Sequence, residues 1–187
     1  SYMFAPILIN PVNCMSIIWY MVEVKIDSIR VSLMSQQHVV ILKDMDSRRY
    51  LPIWIGRTEA ESINMHLQKV QVPRPLTHDL AKKMVEELGG KITKIVISDL
   101  YQDTFYARVE MVIDRRTVQV DARPSDAIAM AVRAECPIFI DDIVMEKAAI
   151  MPDADEDEED VKGPDEELDL GAFGDFISSL DTDDLEK

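Results

Sequence analysis

Asp121-Ala122-Arg123-Pro124-Ser125-Asp126 gathers two carboxylates, a guanidinium and a hydroxyl within one short segment. The segment reads as a strand-to-helix junction. There, unpaired backbone amides and the helix dipole favour an anion. Arg123 could grip a phosphate through paired N–H donors, with Ser125 as a further substrate contact. Asp121 and Asp126 could hold a divalent cation, Mg²⁺ or Mn²⁺, of the kind phosphodiester hydrolysis uses to activate water and neutralise charge. A purely structural reading uses the same residues. Ser125 caps the helix, Asp126 complements its dipole, Pro124 presets the turn, and Asp121 pairs locally with Arg123.

Thr77-His78-Asp79 is a second candidate. His78 could act as a general base or metal ligand, with Asp79 or Glu59 beside it. Its structural alternative is a capped first helical turn with an exposed histidine. Arg57 and Arg74 are further expected phosphate contacts. Zinc spacing of the HExxH or Cys/His type is absent, and His38 and His66 join no constellation. Arg48-Arg49, Arg115-Arg116 and Lys82-Lys83 could track a phosphate backbone, although solvated turns are the default explanation for the arginines. Trp54 and Phe105-Tyr106 could stack bases, although aromatics in strands more often fill cores.

These residues depend on regular elements for their placement. Val22, Val24 and Ile26, then Ile29, Val31 and Leu33, alternate at period two with a break near Asp27-Ser28, predicting one long or bulged strand. Val39–Leu42 and Tyr50–Ile55 follow as strands. Pro52 lacks an amide donor and belongs at an edge or bulge. Thr58 and Glu61 have capping-box spacing at the head of a helix bearing the stripe Ala60, Ile63, Leu67 and Val70. After Val72-Pro73-Arg74-Pro75, Thr77 should cap a helix carrying Leu80, Met84, Val85 and Leu88, stopped at Gly89-Gly90. Strands at Ile92–Ile97, Thr104–Ile113 and Thr117–Val120 come next. Then follow a helix from Ser125 to Ala134, a short strand at Ile138–Ile140 and a helix from Asp142 to Ile150.

An internal repeat appears at an offset of 67 residues, taking 48–63 onto 115–130. Arg48-Arg49 falls on Arg115-Arg116, and Thr58-Glu59-Ala60 on Ser125-Asp126-Ala127. Both windows run dibasic turn, strand, helix, so Glu59 and Asp126 open equivalent helices. If the duplicated sheet closes on itself, it loses its exposed edges and brings both junctions to one rim. Carboxylates, Arg57, Arg123 and His78 would then share a groove.

Charge divides the chain. Residues 153–187 hold 16 acids against two lysines, a net of −14, which leaves −1 of the total −15 for the rest. The folded part therefore does not repel nucleic acid as the whole-chain pI of about 4.5 suggests. Asp153–Asp160 cannot bury enough apolar surface to order itself. Leu168, Leu170, Phe173, Phe176, Ile177 and Leu180 form a weak amphipathic segment suited to docking on a protein partner or on its own domain. Two cysteines, Cys14 and Cys136, are too few for a disulfide framework and fit a reducing, cytoplasmic location. The uncharged stretch before Val22 is interrupted by Pro6, Asn10, Pro11 and Asn13 and makes a poor membrane span. Residues 1–20 are expected to be an extension, disordered or adventitious, 21–152 the domain, and 153–187 an acidic tail.

Three stretches resemble the bifunctional nuclease domain family. They are Tyr50–Gly56 with Glu59-Ala60, then Arg74–Leu80, then Phe105–Ala107 with Val120–Ala129. The match spans essentially all of 21–152 in order and spacing, and Phe173–Leu185 is similar to the ending of many members. The resemblance implies an α+β fold, two β3α2 repeats around a single barrel-like mixed sheet, and nuclease activity on RNA and DNA. The expectation is a metal-assisted nuclease or nuclease-like nucleic-acid-binding domain with Asp121, Asp126 and His78 as catalytic residues. Arg123, Ser125, Arg57 and Arg74 would bind substrate, and Asp121, Asp126, Glu59 and Asp79 would hold the metal. The alternative is a non-catalytic regulatory or adaptor domain that docks a protein partner through its tail. A homodimer is expected.

Overall fold

The computed structural model describes residues 20–32 and 36–152. The expectations for the N-terminal extension, for Leu33 and for the acidic tail fall outside these residues. The described residues form an α+β fold, with seven strands in one mixed sheet and four helices.

β1 (Met21–Val31) pairs antiparallel with β2 (His38–Asp44), and their register slips between Ile26 and Ser28. The extra residue of this bulge is the break in alternation at Asp27-Ser28: it turns Val22 and Val24 into the core while the later apolar positions resume on a shifted phase. β3 (Tyr50–Ile55) pairs with β2 and lies at the sheet edge, as Pro52 requires. β4 (Gly90–Tyr101), β5 (Thr104–Ile113) and β6 (Arg116–Ala122) form the second antiparallel set. Two-residue turns with both φ positive, Gln102-Asp103 and Asp114-Arg115, join them. Such turns match the native twist of paired strands.

The sheet order is β3-β2-β1-β7-β4-β5-β6, so two three-stranded sets flank the short β7 (Ile138–Asp141). β7 is antiparallel to β1 and parallel to β4. The first repeat is β3α2, with α1 (Arg57–Leu67) and α2 (Thr77–Glu87). The second places β7 between α3 (Pro124–Ala134) and α4 (Asp142–Ala148). No β3–β6 pairing closes the sheet, so it is barrel-like only in its curl. The curl is nonetheless real: a cleft of about 300 Å³ is lined jointly by Ile53–Gly56 of edge strand β3, Asp103–Phe105 of the β4–β5 turn and Arg123–Ser125.

α3 lies deepest. Ala127, Ile128, Ala129, Met130 and Ala131 are all buried, and the alanines let its axis approach the sheet closely. α1 and α2 both pack on α3. Ala60 and Ile63 of α1 are buried, but the expected stripe fails beyond them, because the helix ends at Leu67 and leaves Leu67 and Val70 exposed. On α2, Ala81 and Val85 meet the core while Leu80, Met84 and Leu88 face solvent.

Three expected caps are corrected, the first being that of α3, where Arg123 and not Ser125 is the N-cap because the helix already starts at Pro124. Gly56, not Thr58, is the N-cap of α1, and Glu61 pairs with Arg57 at 2.8 Å instead of reaching back to close a capping box. Leu76, not Thr77, is the N-cap of α2. Its amide donates to Asp79 Oδ2 at 2.9 Å, so the carboxylate three residues on satisfies the orphan donor. No helix among the described residues is long and apolar enough to cross a membrane.

Candidate functional site

β3 and β6 each run directly into a helix, and the curl of the sheet places the two corners side by side. Arg123, the N-cap of α3, lies between them. Its Nη2 donates to Glu59 Oε1 at 2.7 Å, and its Nε to Asp126 Oδ2 at 2.7 Å. Glu59 and Asp126, the equivalent first-turn acids of α1 and α3, thus converge on one guanidinium. Nη1 has no partner among the described residues, and the side chain is 67% exposed. Two carboxylates against one guanidinium strengthen the arginine's hold on its proton.

Behind Asp126 the contacts run inward. His78 Nε2 lies 3.1 Å from Asp126 Oδ1, and Nδ1 lies 3.0 Å from Ser62 Oγ. Arg133 Nη2 donates to Ser62 Oγ at 3.1 Å, its Nη1 donates to the Ala129 carbonyl, and its Nε donates to Asp79 Oδ1. Donor chemistry sets the direction of this chain. Arginine can only donate and a carboxylate can only accept. Ser62 Oγ accepts from Arg133, and His78 Nε2–H donates to the Asp126 carboxylate; in the neutral imidazole Nδ1 then accepts from the Ser62 hydroxyl. Three helices are joined by this one line of polar contacts.

The carboxylates respond to their surroundings. Burial alone would raise Asp126, but hydrogen bonds and charge from Arg123 and His78 outweigh it and hold the carboxyl below its ordinary value. Asp79 behaves likewise: burial opposes ionisation, while the Leu76 amide and Arg133 overcome it. Both acids are therefore anionic at neutral pH.

Of the residues expected at the site, Glu59, His78, Asp79, Arg123 and Asp126 are linked in this network. Ser125 is buried, lines the cleft at the first turn of α3, and its hydroxyl has no hydrogen-bond partner among the described residues. Asp121 stands apart on β6, exposed, with its backbone opposite Arg108. Arg57 is exposed and paired with Glu61, and Arg74 is exposed in the link between α1 and α2. Arg49 is committed elsewhere, to Asp44 and Asp142.

The donor set fits a divalent cation poorly. Glu59 and Asp126 each give an oxygen to Arg123, and among the described residues no three His, Cys, Asp or Glu side chains gather to hold an ion. Ser62 and Arg133 were missed by sequence reasoning. Arg133 had one available signal, a charge inside the apolar run Ala127–Ala134, where a buried guanidinium needs acceptors.

Comparison with known proteins agrees with this architecture. The bifunctional nuclease domain profile matches residues 40–153. An uncharacterized protein of Mycobacterium tuberculosis (strain ATCC 25618 / H37Rv) is 38% identical over 163 residues, which span 87% of this chain and 97% of that protein. Bifunctional nuclease 1 of Oryza sativa subsp. indica is 30% identical over 107 residues, covering 55% of this chain but only 32% of the plant protein. Bifunctional nuclease 1 of Arabidopsis thaliana is 27% identical over 105 residues, with similar coverage. With more than half its length inside the family profile, and with two corresponding strand-to-helix corners meeting at Arg123, the chain belongs to the bifunctional nuclease domain family.

Proposed function

We propose that this domain binds nucleic acid through its phosphodiester backbone at the rim between the β3–α1 and β6–α3 corners, and cleaves it there. The observation that carries this reading is the Ser125 hydroxyl, without a hydrogen-bond partner among the described residues, in the lining of a cleft whose mouth holds Arg123. A phosphate oxygen would accept from that hydroxyl, from Nη1 of Arg123, which has no partner among the described residues, and from the first-turn amides of α3. Trp54 and Phe105, also in the lining, offer a surface for an unpaired base, so single strands should be preferred to duplexes.

The roles of the polar chain follow from depth. His78 is 13% exposed and Asp126 32%, so the carboxylate, not the imidazole, stands nearer the substrate. Asp126 would accept a hydrogen bond from the attacking water, and His78, set by Ser62 and Arg133, would hold Asp126 in place. Mg²⁺ or Mn²⁺ is retained as an assay condition, with no step routed through it. A reducing, cytoplasmic setting suits the two thiols.

One observation favours the rival reading, a non-catalytic regulatory or adaptor domain docking a protein partner through its acidic tail. Glu59, Asp126 and Arg123 together carry a charge of −1, which serves an inter-repeat clasp better than a polyanion site. A cleavage and binding assay decides. The full chain is tested on single-stranded and duplex RNA and DNA with Mg²⁺, Mn²⁺ or EDTA, beside Asp126→Asn. Single-strand cleavage that Asp126→Asn abolishes, with its melting transition retained, supports the nuclease. Absence of both binding and cleavage under every condition leaves the adaptor.

A further inference from the structure

The two edges of the sheet are treated differently. β3 is protected: Pro52 removes an amide donor, and Tyr50 is paired with Ile150 through two 2.8 Å hydrogen bonds. Both devices obstruct further strand addition. β6 has neither. Arg116–Val120 and Asp121 are exposed, Ala122 is half-buried, and no proline or register shift interrupts its pairing with β5. Val118 and Val120 are 37% and 45% exposed, yet they sit opposite buried Met111 and Val109 of β5. Among the described residues, the apolar face of the sheet thus runs out to an uncovered edge.

The sequence of that edge matches itself. When two copies of Arg-Thr-Val-Gln-Val-Asp-Ala are laid antiparallel about Gln119, Val118 of each faces Val120 of the other. Thr117 then faces Asp121, and Arg116 of one copy comes beside the Asp121-Ala122 end of the second. The apolar pair lies at the middle, opposite charges approach at each end, and no like charges meet. Paired valines would continue the stripe formed by Val109 and Met111 across both molecules.

We propose that β6 is an interaction edge and that its occupant is a second copy of this chain, paired antiparallel about Gln119 to join two sheets into one. The contact is a single strand edge, so the dimer is in rapid, concentration-dependent exchange with monomer. Each chain carries −15, so association tightens as salt screens the repulsion. Arg123 directly follows β6, so pairing also stiffens the strand that delivers it to the cleft.

Sedimentation of the full chain over a concentration and salt series tests this, beside Val118→Lys/Val120→Lys. Exposed edge lysines block strand addition without touching the core, and thermal melting checks the fold of that variant. Gln119→Cys, with Cys14 and Cys136 replaced by serine, adds a geometric readout. Residues facing each other across antiparallel strands lie about 4.5–5.5 Å apart at Cα, within disulfide reach. The expected results are a dimer that strengthens with salt, a monomer for the lysine variant, and a disulfide-linked dimer for Gln119→Cys. A wild-type monomer at every concentration overturns the proposal. So does a dimer that survives the lysine substitutions without crosslinking at position 119. Neither result bears on the phosphate site, which is tested separately by nucleic-acid binding.

Discussion

Arg123 caps α3 and Arg133 lies in its last turn, yet they occupy opposite environments, and their substitutions should separate function from stability. Arg133 is buried and hydrogen-bonded to Asp79, Ser62 and Ala129. Arg133→Met removes the donor that orients Ser62 and leaves Asp79 without its cation. Loss of one partner of a buried pair costs about 3–5 kcal/mol. The 30% exposure of Asp79 brings the expectation to roughly 2 kcal/mol, read by urea denaturation. Arg123 is largely exposed, so Arg123→Gln should cost less than about 1 kcal/mol. Acid sensitivity follows from the carboxylates. Asp44, Asp79 and Asp126 all lie below their ordinary values in the folded state. Their contribution is present above the unfolded carboxyl value, near pH 4, and is lost as pH falls through the lower folded values. Urea midpoints should therefore hold level near neutrality and drop below about pH 4, less steeply in Asp126→Asn. Asp141 has the opposite sign, since burial raises its carboxyl. Asp141→Asn should stabilise the protein at neutral pH by up to about 1 kcal/mol, and lose that advantage in acid.

At the scale of elements, much of the fold was legible because period and punctuation agreed. The break at Asp27-Ser28 marked the β1 bulge, Pro52 marked an edge, and the matched windows at residues 48–63 and 115–130 marked the duplication. Helix starts were misread because local spacing cannot see which partner reaches a side chain first. Arg57 sits one turn before Glu61 and takes it, and Asp79 serves the Leu76 amide. The equivalence of Glu59 and Asp126 was visible, but their common guanidinium and the Ser62–Arg133 support were not. Arg133 resembles a cation placed for the helix dipole, and its carboxylate partner lies 54 residues away. Gly56 offers a test of the β3–α1 corner. A Cβ there would lie 2.2 Å from Glu59 Oε2, so Gly56→Ala must displace that side chain. Weaker nucleic-acid binding with under about 1 kcal/mol of stability lost is expected, because the displaced group is a flexible side-chain end. An unchanged affinity would show that the position of Glu59 does not matter to the rim.

For the molecule as a whole, the central claim is that sheet curl, not sheet closure, creates the site. β3 and β6 do not pair, and Ser125 and Arg123 meet solvent in the gap that β3 leaves against the β4–β5 turn. A closed barrel would have covered that gap. The most direct test is equilibrium binding of a single-stranded oligonucleotide to the full chain across a salt series, for wild type and Arg123→Gln, with melting curves confirming that both fold. If Arg123 contacts a phosphate, the variant binds more weakly across all sequences, and its dependence of log K on log salt falls by about one unit of slope. Equal affinity and equal slope in the two proteins would contradict the phosphate site and leave Arg123 a clasp between the repeats.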